Sequence, residues 1–321
     1  MSTLNHSENP VTRLKKHSAN HTGPVILFGE VLADVFPDQI VLGGAPFNVA
    51  HHLKAFGLNP FLFTRLGKDS LRDEVLQAMS QCEMEVTGIQ TDDTHPTGQV
   101  KVHIDGTKHQ FEILPLQAYD FIHPIAPDGN KLPTHPALVY YGTLAQRHKV
   151  SRIALDALLG STPDAEKFMD INLRVPWYTK SILHKSLHHA NIVKLNDDEL
   201  DILVELFKLT GNTPEDQILN LLTQFDIEQA IITCGENGAW QINRSGELIK
   251  TGAIEKAVNL VDTVGAGDGF AAICILGSLL QWPIKTRLER ANAFASSICE
   301  NRGAIPEHAD FYEPFLQEWK V

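Results

Sequence analysis

The stretch with the most chemical content is Val261-Asp262-Thr263-Val264-Gly265-Ala266-Gly267-Asp268-Gly269-Phe270. It reads as a strand-like end, a turn of small residues and the start of an apolar helix. Small residues at 265–267 let a ligand come close to the main chain. The helix behind them offers unpaired N–H groups and the positive end of its dipole, which together make an anion site. An aspartate in the first helical turn is held as a carboxylate by that dipole and stays available to accept a proton. An anion hole beside a charged base suits phosphoryl transfer to a hydroxyl. The same residues also read as an ordinary helix start with Asp268 as a favourable first-turn residue. Two commoner phosphate-binding patterns fail: Phe270 stands where the dinucleotide fingerprint needs glycine, and Leu66-Gly67-Lys68-Asp69 lacks the upstream glycine and the hydroxyl residue of a P-loop.

The elements that must hold this stretch alternate between short β-rich runs and helical ones, the pattern of parallel strands covered by helices. Strands are expected at Val25–Val31, Phe61–Leu66, Leu138–Tyr141, Phe168–Leu173, Ile192–Leu195 and Ala230–Cys234. Several are near-continuous apolar runs, as in strands buried on both faces. Expected helices include Pro46–Phe56, Leu71–Gln81, Asp198–Lys208, Pro214–Gln224, Ala266–Leu280 and Lys285–Asn301. Residues 35–43 and 96–121 break the alternation, reading as strands with no helix between them. Gln99–Ile104 and His109–Leu114 flank the turn dipeptide Asp105-Gly106. These segments form a small sheet projecting from the α/β body, either a plain surface hairpin or a lid over a cleft.

Bulk properties narrow the function. Among 321 residues, 27 are basic and 39 acidic, a formal charge of −12 that speaks against a nucleic-acid partner. No run approaches the ~18 consecutive apolar residues of a membrane span. Cys82, Cys234, Cys274 and Cys299 lie far apart, suggesting neither a zinc site nor a disulfide framework and fitting a reducing cytoplasm. Residues 1–22 are polar and read as a disordered leader. The adjacent pairs His51-His52 and His188-His189 have no metal-ligand spacing and read as solvated.

Asp262-Thr263-x-Gly265-Ala266-Gly267-Asp268 resembles the C-terminal signature of the PfkB, or ribokinase-like, carbohydrate kinases. Leu42-Gly43-Gly44-Ala45-Pro46-Phe47-Asn48 is similar to the family's N-terminal Gly-Gly-x-x-x-Asn pattern. Four more matches follow in family order: Gly29-Glu30-x-x-x-Asp34, Asp170-Ile171-Asn172-Leu173-Arg174, Lys194-x-Asn196-x-x-Glu199 and Thr233-x-Gly235-x-x-Gly238. The resemblance spans roughly residues 24–308. It implies an α/β, ribokinase-like three-layer sandwich with a mostly parallel central sheet and a small projecting β-sheet lid. The implied division is a core of 23–34, 44–95 and 122–321, with the lid at 35–43 and 96–121.

The resemblance also implies roles. Asp268 is the base that takes the proton of a primary sugar hydroxyl, and the amides of Gly265, Ala266 and Gly267 receive the charge on the transferring phosphoryl group. Asp34, Gly43, Gly44 and Asn48 bind the sugar, and Arg174 faces substrate or phosphate, or else makes a structural ion pair. Lys194, Asn196, Thr233, Gly235, Gly238 and Asn292 line the nucleotide. Glu199 helps hold Mg²⁺ through water while also capping a helix with Asn196. Asp262 with nearby carbonyls would bind K⁺. The Gly29-Glu30 start, Gly44-Ala45-Pro46, Leu66-Gly67-x-Asp69 and Asn172-x-Arg174 resemble fructokinases and 2-keto-3-deoxygluconate kinases, although Ile171 and Gly269 depart from the fructokinase pattern. A nucleoside or aminoimidazole-riboside kinase is the alternative, with Phe111 or Tyr119 as an aromatic platform in the lid. Outside the kinases stand a hydrate dehydratase and a catalytically silent regulatory subunit. Exposed lid edges would be covered by pairing two lids in a homodimer.

Overall fold

The computed structural model describes residues 23–36, 39–105, 108–124, 132–253, 260–306 and 308–321. The expected leader, and Gly106 of the expected turn, lie outside the described residues. The chain begins with strands β1 (Val25–Phe28), β2 (Leu32–Val35) and β3 (Ile40–Gly43), then helix α1 (Ala45–Ala55). Next come β4 (Pro60–Gly67), α2 (Ser70–Gln81), β5 (Ile89–Asp92), β6 (Gly98–Asp105) and β7 (Lys108–Ile113). The middle holds β8 (Leu138–Tyr141), α3 (Lys149–Ser161), β9 (Glu166–Asp170), α4 (Lys180–His189), β10 (Ile192–Asn196) and α5 (Asp197–Phe207). The last part holds α6 (Pro214–Phe225), β11 (Gln229–Thr233), β12 (Ala239–Asn243), β13 (Leu248–Lys250), α7 (Ala266–Leu279), α8 (Ile284–Ile298) and α9 (Glu313–Trp319).

Among the described residues the large sheet runs β13-β12-β11-β10-β9-β8-β1-β4-β5. Its pairings are parallel except β11–β12 and β12–β13. Alternation along β1 shows why both faces are covered. Ile26 and Phe28 join a core with α3, α4, α5 and α6, whereas Val25 and Leu27 join one with α1, α2, α7, α8 and α9. The result is helix, sheet, helix. Helix α7 is apolar on all sides because it lies inside its layer, with Gly269 through Gly277 buried.

The small sheet runs β3-β2-β6-β7. Strand β2 pairs antiparallel with β3 and parallel with β6, and β6 pairs antiparallel with β7. The sequence reading carried the first strand on to Val31. Instead β1 stops at Phe28, the backbone turns at Gly29 with φ +147°, and the chain joins the small sheet at Leu32. No helix among the described residues is long and apolar enough to cross a membrane.

A short stretch after α8 ties the small sheet to the turn before α7. Arg302 donates to the side-chain oxygen of Gln39 at 2.7 Å and 3.1 Å, with its guanidinium over the Phe36 ring at 5.8 Å. The Gly303 amide donates to Asp262 Oδ2 at 3.3 Å. Ala304 closes on Gly265 so tightly that a Cβ at 265 would sit 2.2 Å from its methyl carbon. Gly265 also has φ +81°, a left-handed conformation that costs a side-chain-bearing residue about 1 kcal/mol or more. Gly57 has a similar φ of +83° but nothing within 4 Å. Gly265→Ala should therefore lower the midpoint of thermal unfolding by several degrees more than Gly57→Ala, on the scale of about 2–4 °C per kcal/mol for a chain of this size. Equal shifts would show that the packing against Ala304 is slack.

Candidate active site

Parallel α/β sheets bind ligands beyond the carboxyl ends of their strands, and the singled-out residues gather there. Glu30 follows β1, Asn172 and Arg174 follow β9, Asn196 ends β10 and Thr233 ends β11. Asn196 and Thr233 are direct partners across the β10–β11 ladder. The two glycine motifs stand at the starts of α1 and α7, with Gly44 and Gly265 as their N-caps. Gly44 has φ +104°, and a Cβ there would lie 2.6 Å from the Glu30 carbonyl oxygen, so no other residue fits that turn.

The two motifs meet. Asn48 Nδ2 donates to Asp268 Oδ2 at 2.7 Å across 220 residues of sequence. No donor among the described residues reaches Asp268 Oδ1. Burial raises the Asp268 pKa; the Asn48 bond opposes this, Asp170 adds to it, and Lys194 and Arg174 oppose it. A carboxylate so placed is a better proton acceptor than one in water. Of the three amides read as an anion hole, Ala266 N already donates to the Thr263 carbonyl at 3.3 Å. Those of Gly265 and Gly267 find no acceptor among the described residues.

Lys194 lies beneath this loop: a Cβ at Gly267 would be 3.6 Å from its Nζ. The ammonium is buried and bonds both oxygens of Asp170 at 3.0 Å. Burial alone would lower its pKa, but Asp170 and Glu199 outweigh that and raise it, so it stays charged. Tyr140 donates to Asp170 Oδ2 at 3.2 Å from the neighbouring strand. Glu199 and Asn196 form a reciprocal cap on α5, Asn196 Oδ1 accepting from Glu199 N at 2.7 Å and Glu199 Oε2 from Asn196 N at 3.0 Å. Glu199 Oε1 also accepts from Leu173 N at 2.7 Å. Burial raises its pKa, and the Asn196 amide opposes the rise.

On the sugar-facing side expected from the sequence, Asp34 Oδ2 lies 4.0 Å from where a Cβ on Gly43 would sit. Burial pushes Asp34 up to about 6, with Arg174 pulling it down and Asp262 pushing further up. Arg174 is exposed, donates through Nη1 to the Leu173 carbonyl at 3.1 Å, and acts electrostatically on Glu30, Asp34 and Asp268. It is the shared counter-charge of three carboxyls. Asp262 holds the Val264 amide at 3.0 Å and the Gly303 amide at 3.3 Å.

A second group assembles around Thr251. Asn292, buried on α8, donates to Thr251 Oγ1 at 2.8 Å, and that hydroxyl lies 3.0 Å from the Cβ position of Gly238. Asn292, Gly238 and, through the β11–β12 turn, Gly235 and Thr233 thus share one corner. No hydrogen bond among the described residues joins this corner to Asp268, whose side chain bonds Asn48.

Two expectations fail. Tyr119 is fully buried rather than a platform in the lid; the Arg147 guanidinium covers its ring at 4.9 Å. Phe111 on β7 is half exposed. His52 is also fully buried and His51 half-buried. His52 Nδ1 meets the Tyr312 hydroxyl at 3.0 Å, and His51 Nε2 meets Cys82 Sγ at 3.0 Å. Burial lowers His51 to about 4 and His52 to about 3, so both rings are neutral. Sequence reasoning gave no role to Asp170, Tyr140 or Glu30. Asp170 and Glu30 each stand in one of the quoted family matches but were given no part there, and Tyr140 was visible only as one residue of an apolar strand.

A family model described as "pfkB family carbohydrate kinase" matches residues 19–310. A protein named "Probable fructokinase-5" from Arabidopsis thaliana is 25% identical over 314 residues, 89% of this chain and 94% of that one. A fructokinase with bound ATP from Xylella fastidiosa shares the fold at TM-score 0.77 and 20% identity, covering 93% of this chain and 99% of that one. A fructokinase double mutant from Vibrio cholerae O395, in a form with fructose, ADP and potassium ion bound, superposes at TM-score 0.72 and 20% identity, covering 91% of this chain and 97% of that one.

Glu30 makes the site sensitive to pH. Burial raises it from 4.5 to about 7, against the pull of Arg174 and Arg147 and with a push from Asp268; Tyr119 and Tyr140 also face it. A folded-state carboxyl raised in this way binds its proton more tightly than the unfolded chain does. Its stabilising effect is complete below pH 4.5 and is lost as pH rises through about 7. Glu30→Gln should therefore be more stable than the parent at pH 8, by on the order of 3 kcal/mol, and show no such gain at pH 4.5. Thermal melts at the two pH values check this.

Proposed function

The chain belongs to the pfkB family of carbohydrate kinases, and from that premise we propose that it moves the γ-phosphoryl group of ATP to a primary hydroxyl of a keto-sugar of the fructose type. The observation that carries this reading is the 2.7 Å bond between Asn48 and Asp268. It joins a sugar-type motif to a phosphate-type motif at one carboxylate.

In the proposed reaction Asn48 fixes Asp268 Oδ2 and leaves Oδ1 to face the alcohol. Oδ1 takes the proton as the alcohol oxygen attacks the γ-phosphorus. The bond from that phosphorus to the bridging oxygen breaks, and ADP leaves with the electron pair. The amides of Gly265 and Gly267, with Lys194 beneath them, receive charge on the transferring oxygens. Most of the rate enhancement in such chemistry comes from position and electrostatics, so the carboxylate must be aimed rather than strong. Asp34, Gly43, Gly44 and Asn48 hold the sugar, and Arg174 closes on sugar or phosphate. Lys194, Asn196, Thr233, Gly235, Gly238 and Asn292 line the path of the nucleotide.

The donor set fits a magnesium ion held by phosphate oxygens and water. Each Glu199 oxygen already accepts one amide and keeps a lone pair for a metal-bound water. When bound, the ion neutralises charge between the phosphates. Asp262 fits a K⁺ ion in the same partial way, its two oxygens each accepting one amide, and a Vibrio cholerae O395 fructokinase of this fold has a potassium ion bound. The nucleoside alternative loses Tyr119 as a stacking surface and keeps Phe111. Ile40, on an edge strand of the small sheet, and Phe111, on the other edge strand, are both exposed, which supports a homodimer through the lid. Four unpaired thiols suit a reducing cytoplasm.

A panel of sugars and nucleosides assayed for ADP release with Mg-ATP and K⁺ tests the substrate. Asp268→Asn should lower kcat by about 10²–10⁴-fold with the best acceptor; turnover within tenfold of the parent would remove Asp268 from the role of base. Replacing K⁺ by a large organic cation should depress activity, and unchanged rates would exclude the K⁺ site at Asp262.

A further inference from the structure

Glu30 is 4% exposed, and its Oε2 has no hydrogen-bond partner among the described residues. An oxygen left that way costs about 1–3 kcal/mol. A chain that retains such a group implies something that fills it. No neighbouring donor among the described residues reaches it, and two of them, Arg147 Nη1 and the Tyr119 hydroxyl, are themselves without a partner. Arg147 gives Nε and Nη2 to Asp120 and to the Leu114 carbonyl, and Arg174 gives Nη1 to the Leu173 carbonyl.

The position of Glu30 says what the partner is. Its own carbonyl lies directly behind the Gly44 turn, and the preceding Gly29 packs on Pro46 at the start of α1. One helical turn on, Asn48 N bonds the Gly44 carbonyl. The Asn48 side chain spends its Nδ2 on Asp268, and its Oδ1 is a second buried orphan. Two acceptors without donors thus flank the two-glycine turn, and the charge of Asp268 acts on Glu30. Acceptors of that kind call for hydroxyl donors, and an alcohol can also accept from the orphaned Arg147 Nη1. Arg174 is the least constrained group over this corner.

We propose that Glu30 is a specificity-determining residue, its free carboxyl oxygen accepting a hydroxyl of the sugar other than the one phosphorylated. The proposal rests on the sugar-kinase reading of the site and adds one polyol contact beyond Asp34 and Asn48. A site built around such a contact rejects an analogue that lacks the hydroxyl, because Oε2 is again left bare.

The test compares the parent chain, Glu30→Ala and Glu30→Gln on the best sugar and on its monodeoxy analogues, one for each hydroxyl. Glu30→Ala should raise KM for the sugar by about tenfold or more, and Glu30→Gln, which keeps an acceptor oxygen, should restore it to within about threefold. KM for ATP should stay within about twofold in both, since the contact is to the sugar. One deoxy analogue, poor with the parent chain, should be no poorer than the full sugar with Glu30→Ala. If instead every analogue keeps the same ratio to the full sugar in all three proteins, Glu30 touches no sugar hydroxyl, an internal water fills the space, and the proposal falls. Sugar-induced shifts in melting temperature across the same analogues read binding without turnover. A parent chain that binds in this pattern but releases no ADP keeps the Glu30 contact and sinks the kinase reading. A parent chain stabilised equally by every analogue sinks the contact, even if it turns over.

Discussion

The hydrogen bond from Asn48 to Asp268 fixes where two helices begin relative to each other. It spans 2.7 Å in space and 220 positions in sequence, and both of its residues sit within the first turn or two of their helices. The backbone demands at each end follow from it. Gly44 must turn back behind the Glu30 carbonyl, and Gly265 must pass against Ala304, or the helices could not start close enough for an amide to reach a carboxylate. The apolar surround of α7 serves the same end: a helix buried on every side has one address, and so does the residue in its first turn.

That arrangement buries carboxyls, and the chain manages the cost in different ways at different places. Asp170 has a full partner in Lys194 and a hydroxyl from Tyr140. Glu199 is satisfied by main-chain amides. Glu30, Asp34 and Asp268 share Arg174, and all three are raised by burial. In a protein of net charge −12, an anionic nucleotide is not drawn in by the overall field. On the proposed reading, the donors that receive it are those at the start of α7 and at Lys194.

Much of this was legible in the sequence because it was written locally. Apolar runs at Leu138–Tyr141 and, broken only by Lys194, at Ile192–Leu195 marked strands with both faces covered, and small residues at 265–267 marked a helix start. The parts that were not legible depend on distant partners. His51 and His52 looked like polar residues on a helix, but Tyr312, some 260 positions away, packs over both. Tyr119 looked free because its cover, Arg147, comes from another element. The first strand was drawn too long because Val31 continues the apolar pattern past Gly29. Only the backbone turn shows that the chain has left one sheet for another. Helix α3 is capped by the His148 side chain, which is not a residue that announces a helix.

The stretch from Arg302 to Ala304 is three residues long and has contacts on two sides. Phe36 and Gln39, between β2 and β3, hold one side, and Asp262 and Gly265 of the turn before α7 hold the other. A spacer this short has no slack. The hairpin that carries Asp34 and the turn that leads to Asp268 are therefore held at one separation by the main chain between them. Neither can tilt without rotating that tripeptide, so the small sheet and the turn before α7 are coupled through it.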